Sequence, residues 1–159
     1  LAPLCPISQD YTSYLNALHQ QWAADSGTQV EPVGWFPNPS VTDEEIALFA
    51  ERYSVEWDLA RDTVGWSDAV GARWTPEAVL VSPEGAVVYR GRVNDLYYAL
   101  GKHRSTPRSS DLALAVEQAL AGSVVDPSVT DAIGCPIQNR LPFQDSLACK
   151  VFTDGLRGL

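Results

Sequence analysis

The sequence contains no methionine, only three cysteines and only two histidines. Without methionine the chain has no initiator, so it reads as processed or trimmed, and a removed signal peptide leaves no trace to find. Three cysteines are most simply one disulfide and one free thiol. That tally fits an exported protein, on an extracytoplasmic face, and leaves a reduced cytosolic one open. Basic residues are scarce, 11 Lys and Arg against 20 Asp and Glu, for a net charge of −9. Such a chain is a poor ligand for nucleic acid or an anionic membrane surface. No apolar run approaches the length of a membrane span, so an integral membrane protein is not expected. Also missing are low-complexity tracts, a phosphate loop, a Ser-His-Asp arrangement and a basic aromatic patch. No cofactor is expected.

What is present begins with Leu4-Cys5-Pro6-Ile7-Ser8. Pro6 suits the first turn of a helix, where its missing N–H is not needed. Tyr11, Tyr14, Leu15, Leu18 and Trp22 then recur on one helical face. Cys5 therefore falls at or just before a helix N-terminus, where free N–H groups and the macrodipole favour a thiolate, the reactive form. A buried structural cysteine or half of a static disulfide is the alternative.

The rest reads in order. The first helix covers about Ser8 to Ala24, and a strand follows over 28–36, weakened by Pro32 and Gly34. Thr42 to Glu45 form a capping box that opens a second helix carrying Ile46, Leu48, Phe49 and Tyr53. Residues 55–57 are extended and 62–71 a weak helix. Residues 77–81 and 86–90 flank Ser82-Pro83-Glu84-Gly85, the clearest hairpin, because Pro presets φ and Gly supplies φ > 0. The apolar run 78–81 predicts a strand buried on both faces. A long basic connection over 91–109 precedes a last helix, Asp111 to Ala121. Ser110 is its cap, Leu112, Leu114, Ala115, Val116 and Leu120 its buried set, and Gly122 its C′ glycine. The expected organisation is one domain over 1–122 and an irregular extension, 123–159, packed on it. Cys135-Pro136-Ile137 echoes Cys5-Pro6-Ile7, too short an echo to be a repeat.

This order of motifs resembles the thioredoxin-like superfamily, and within it the bacterial exported redoxin-like proteins with a Cys-Pro-Ile-Ser motif. The resembling positions are Cys5 to Ser8, Thr75-Pro76-Glu77, Pro83-Glu84-Gly85, Val88 to Val93, Asp111-Leu112 with Ala115, and Gly134 to Ile137. The resemblance implies an α/β fold, a thioredoxin-like central mixed β-sheet flanked by helices. It implies that Pro76 is a cis proline beside Cys5, since X-Pro bonds are where cis peptides occur. Thr75 and Pro76 then become substrate-binding residues, the exposed Thr75 backbone pairing with an extended substrate. It also implies Cys135 as the distant partner of Cys5.

Departures from the superfamily narrow the chemistry. Ser8 replaces the second cysteine of Cys-x-x-Cys, so an adjacent dithiol is impossible. Ala2 replaces a peroxidase threonine, and Gln9 the second cysteine of the copper chaperones. The expected function is a thiol-disulfide oxidoreductase-like protein with Cys5 and Cys135 as catalytic residues and a protein thiol or disulfide as partner. A static Cys5–Cys135 bridge, or a Cys135–Cys149 staple worth about 2–4 kcal/mol, stays open. The alternatives are a non-catalytic subunit of a larger assembly and a copper-handling module. For the latter, Cys5, Cys135 and His103 are soft enough to hold Cu(I) or Zn but match no metal motif. No metal is therefore assigned. His19, Asp62 and Asp95 read as surface groups.

Overall fold

The computed structural model describes residues 1–25 and 30–138. The last 21 residues of the extension, with Cys149, lie outside the described residues, as does the start of the strand expected over 28–36.

Helix α1 spans Pro6–Ala24 and starts earlier than its apolar periodicity indicates, because Pro6 takes the first helical position. It buries Ile7, Tyr11 and Leu18, with Tyr14, Leu15 and Trp22 half-covered beside them. Strand β1 (Val33–Phe36) pairs in parallel with β2 (Asp58–Arg61). Parallel neighbours need a crossover, and helix α2 (Asp43–Tyr53) supplies it. Its capping box forms as predicted: Glu45 N–H donates to Thr42 Oγ1 at 3.2 Å and Thr42 N–H to Glu45 Oε2 at 2.8 Å. Residues 55–57 are not the strand. Ser54 in the left-handed conformation and Val55 N–H, returned to Ala50 O, use this stretch to end α2, so β2 begins at Asp58.

The weak helix over 62–71 contracts to one turn, α3 (Trp66–Ala69). Strand β3 (Trp74–Thr75) follows, then the predicted hairpin of β4 (Ala78–Val81) and β5 (Val87–Gly91). Gly85 has φ +87° and returns its N–H to Ser82 O at 2.8 Å. Strand β4 is not buried on both faces, however: Ala78, Val79 and Leu80 are half-buried and Val81 is exposed. Its one ladder partner among the described residues is β5, and α4 packs against the pair.

Part of the connection over 91–109 is structured as a small hairpin, β6 (Tyr97–Ala99) with β7 (Lys102–His103), turning at Gly101. Helix α4 (Asp111–Leu120) ends before Gly122, at φ +69° the expected C′ glycine. Ser110 occupies the N-cap position but its side chain makes no cap bond. Instead Arg92 clasps Asp111 with Nε and Nη2, at 2.9 and 3.0 Å. Leu112, Ala115 and Val116 are buried, whereas Leu114 and Leu120 are exposed.

Residues 123–138 fold back along the domain. Arg90 N–H donates to Ser128 O and Thr130 N–H to Arg90 O, so the extension covers the outer edge of β5. Gly91, at φ +154°, is required there, since a Cβ would meet Thr130 backbone oxygen at 2.4 Å. The extension then gives β8 (Cys135–Pro136), antiparallel to β3.

The architecture is therefore mixed α/β, built from small sheets and helices. Among the described residues the strands form two-stranded pairs and do not join into one central ladder. Among the described residues no strand precedes α1. The core is correspondingly in two parts. One gathers α1, α4, β4, β5 and Tyr97, the other β1 and α2 around Phe36, Ile46 and Phe49. Ala2 packs on the first and Leu1 on the second, so the entering segment runs between them. Asn16 on α1 also joins them, donating to the Tyr53 and Ser54 carbonyls and accepting from Trp57 Nε1. Among the described residues no helix is long and apolar enough to cross a membrane.

Candidate functional site

Cys5 is the N-cap of α1, held by its own N–H on Ala2 O and by Gln9 N–H on its carbonyl. It is 2 % exposed. The Thr75–Pro76 peptide is cis, and the protonated Cys5 thiol donates to the Thr75 carbonyl at 2.9 Å. Helix start and Thr-Pro loop thus meet as the sequence led one to expect.

Cys135 reaches the same place. In the β3–β8 ladder it stands opposite Thr75, and Thr75 Oγ1 donates to Cys135 O at 3.3 Å. Both cysteines are free thiols. Burial alone opposes ionisation of Cys5. The polar hydrogens of Cys135 and Ser8 directed at its sulfur outweigh that penalty, the Cys135 thiol first among them, and hold Cys5 below the ordinary thiol value. For Cys135 the balance is reversed: burial, donation of its proton to Cys5 and the charge of Cys5 push it up to about 11. The pair therefore favours one thiolate, on Cys5, with its proton-bearing neighbour beside it.

Gly134 explains how close the strands come. A Cβ there would lie 2.4 Å from the Thr75 carbonyl oxygen and 2.7 Å from its carbon. Both are backbone atoms that cannot swing aside. The sequence carried this signal only as the residue before Cys135. Ser8, completely buried, was read only as the place of a missing cysteine. Its hydroxyl accepts from Ala2 N–H and belongs to the environment of the Cys5 sulfur.

Thr75 is 4 % exposed, and its ladder position is occupied by the chain's own Cys135. Asp62 and Asp95 are not solvated surface carboxylates. Asp62 accepts from the N–H groups of Gly65, Trp66 and Ser67 at 2.7–2.8 Å and so caps α3. Asp95 gathers Arg104 Nε and the N–H groups of Arg108 and Ser109. His19 is half-buried on α1. His103 is exposed, its ring 5.5 Å from that of Tyr97. Among the described residues no three or more His, Cys, Asp and Glu side chains converge as a metal-holding group. Tyr97 donates to Asp10 and, by burial, that bond and the charges of Asp10 and Cys5, is pushed up to about 12. Nothing in the sequence pattern marked it.

Solved structures share this fold, two of them as follows. A hypothetical protein from Sinorhizobium meliloti 1021 superposes with a TM-score of 0.71 at 24 % identity, over 86 % of this chain and 75 % of that one. An uncharacterized conserved protein from Geobacillus kaustophilus gives 0.72 at 20 % identity, over 89 % and 75 %. No family model and no curated protein matches the chain. At these identities the likeness extends to the fold alone.

Proposed function

We propose that the chain is a thiol-disulfide oxidoreductase of thioredoxin-like fold, with Cys5 as nucleophile and Cys135 as its distant partner. One observation carries the reading: two free thiols far apart in sequence meet at the cis Thr75–Pro76 loop, Cys5 donating to the Thr75 carbonyl at 2.9 Å and Cys135 standing opposite Thr75 in the β3–β8 ladder.

In the reductive direction the Cys5 thiolate attacks one sulfur of a partner protein's disulfide. A Cys5–partner disulfide forms, the partner's S–S bond breaks, and the departing thiolate is free to take a proton. Cys5 has then lost its charge and can no longer accept from Cys135, so two of the three causes that hold the Cys135 proton disappear. Cys135 gives its proton to solvent or to the departing thiolate and attacks the Cys5 sulfur. The Cys5–Cys135 disulfide forms and the second partner thiol leaves. Two electrons pass from the pair to the partner, and an external dithiol resets the pair. The reverse sequence oxidises a dithiol. An oxidising compartment outside the cytoplasm suits either direction.

Thiol titration and the reduction potential of the Cys5–Cys135 couple test this. A potential within the range of cellular thiol oxidoreductases is expected; one below about −300 mV marks a structural bridge and overturns the reading. The near-complete burial of Cys5 favours a second reading, a binding or assembly subunit that keeps the fold with a silent thiol. Failure of Cys5 to react with any small disulfide would decide for it.

A further inference from the structure

We infer that the Arg73–Thr75 edge is a polypeptide-binding edge, held shut by the chain's own Gly134–Ile137 segment, and that it admits an extended partner segment only where glycine precedes the reacting cysteine. The inference rests on the oxidoreductase reading and names the substrate class of that site. Three observations carry it. The segment pairs with the edge as a strand, Cys135 opposite Thr75 and Pro136 opposite Trp74, and Ile137 N–H donates to Arg73 O at 2.9 Å. It sets Cys135 opposite Thr75, whose carbonyl accepts from the Cys5 thiol at 2.9 Å, so a cysteine stands beside Cys5 where a substrate cysteine has to be. At the residue before that cysteine there is no room for a Cβ, because the Thr75 carbonyl stands 2.4 Å from where it would be. The internal segment thus occupies the place of a substrate and displays the register and the side-chain limit that an external strand must meet. The ladder is only two residue pairs long, so a partner strand has little pairing to displace. When the segment lifts, Thr75 and Cys5 are uncovered together.

The experiment uses the full reduced chain, with folding checked by circular dichroism. Iodoacetamide labelling at Cys5 is followed by peptide mass mapping in the wild type, in Gly134→Val and in Ile137→Pro. The first substitution forces a Cβ against Thr75. The second removes the N–H bonded to Arg73 without adding bulk at the cysteine, and it serves if the first variant does not fold. Cys5 labelling is expected to rise about tenfold or more in a folded variant, a decade being the ratio for about 1.4 kcal/mol of lost strand contact. In Ile137→Pro, peptides bearing an activated Gly-Cys disulfide should exchange with Cys5 about tenfold faster than Val-Cys peptides of the same composition, by the same conversion. Equal labelling in wild type and variants would overturn the shielding. Equal exchange of the two peptides would overturn the glycine limit. If released Cys5 is labelled but exchanges with neither peptide nor any small disulfide, the oxidoreductase reading fails and this inference fails with it.

Discussion

Replacement of Asp62 by alanine separates a structural carboxylate from a chemical one. Asp62 is 4 % exposed and its two oxygens accept three backbone N–H groups, from Gly65 and Trp66 on one oxygen and Ser67 on the other. These are the free donors at the start of α3, a single turn that cannot hold itself. Hydrogen bonds to a charged acceptor contribute about 1.5–3 kcal/mol each, but the three share one carboxylate and water reaches part of the vacated space, so their sum overstates the loss. Asp62→Ala should cost about 3–4 kcal/mol in urea unfolding. At this chain length that is about 6–16 °C in melting temperature. Asp62→Asn keeps the oxygen facing Gly65 and Trp66 and turns an amide toward Ser67, so it should cost less than the alanine variant. A loss below about 1 kcal/mol for Asp62→Ala, or an asparagine variant as unstable as the alanine one, would refute the capping argument.

Thr130 fixes the extension to β5: its Oγ1 accepts from Arg92 N–H at 3.0 Å and shares a hydrogen with Tyr89 OH at 2.7 Å. Thr130→Val should cost about 1 kcal/mol in denaturant unfolding, because it leaves the part-buried Arg92 N–H without its acceptor. Arg92→Lys, which cannot reproduce the forked contact with Asp111, should cost about 1 kcal/mol or less, since Arg92 is partly exposed. The thiol pair should titrate in two separated steps when thiolate absorbance is followed against pH, one below the ordinary thiol value and one near 11. Cys135→Ser should merge the first step toward the ordinary value. Stability follows with opposite signs. Cys5, depressed in the fold, contributes stability that is present above the unfolded thiol value and lost as pH falls through its folded one. Cys135, raised, contributes stability that is present below 9.0 and lost as pH climbs to about 11. Unfolding midpoints measured across about pH 7–11 on wild type and Cys135→Ser check both signs, and an upper limb unchanged by the substitution refutes the second.

Local rules determined much of this protein. Pro6 with the Tyr11–Trp22 face placed Cys5 at the head of α1, the Thr42–Glu45 box opened α2, Pro83 and Gly85 turned the β4–β5 hairpin, and Gly122 closed α4. Each depends on neighbours within a turn or two, so each was legible in order along the chain. The resemblance pointed to the company of Cys5, Thr75, Pro76 and Cys135. Only the tertiary structure decided what that company does to each member. Cys135 lies opposite Thr75 because the extension is first tied along β5 through Ser128 and Thr130, contacts with no periodicity to announce them. That return fills the edge the sequence had assigned to a substrate. Asp62 and Asp95 looked like surface carboxylates because their partners are backbone N–H groups, which every residue carries and no sequence displays. Strand β4 looked central from its apolar run, yet its burial depends on neighbours along its edges, and those are set by the whole chain's path. A strand's composition records what it tolerates being buried against; which atoms arrive is a property of the fold.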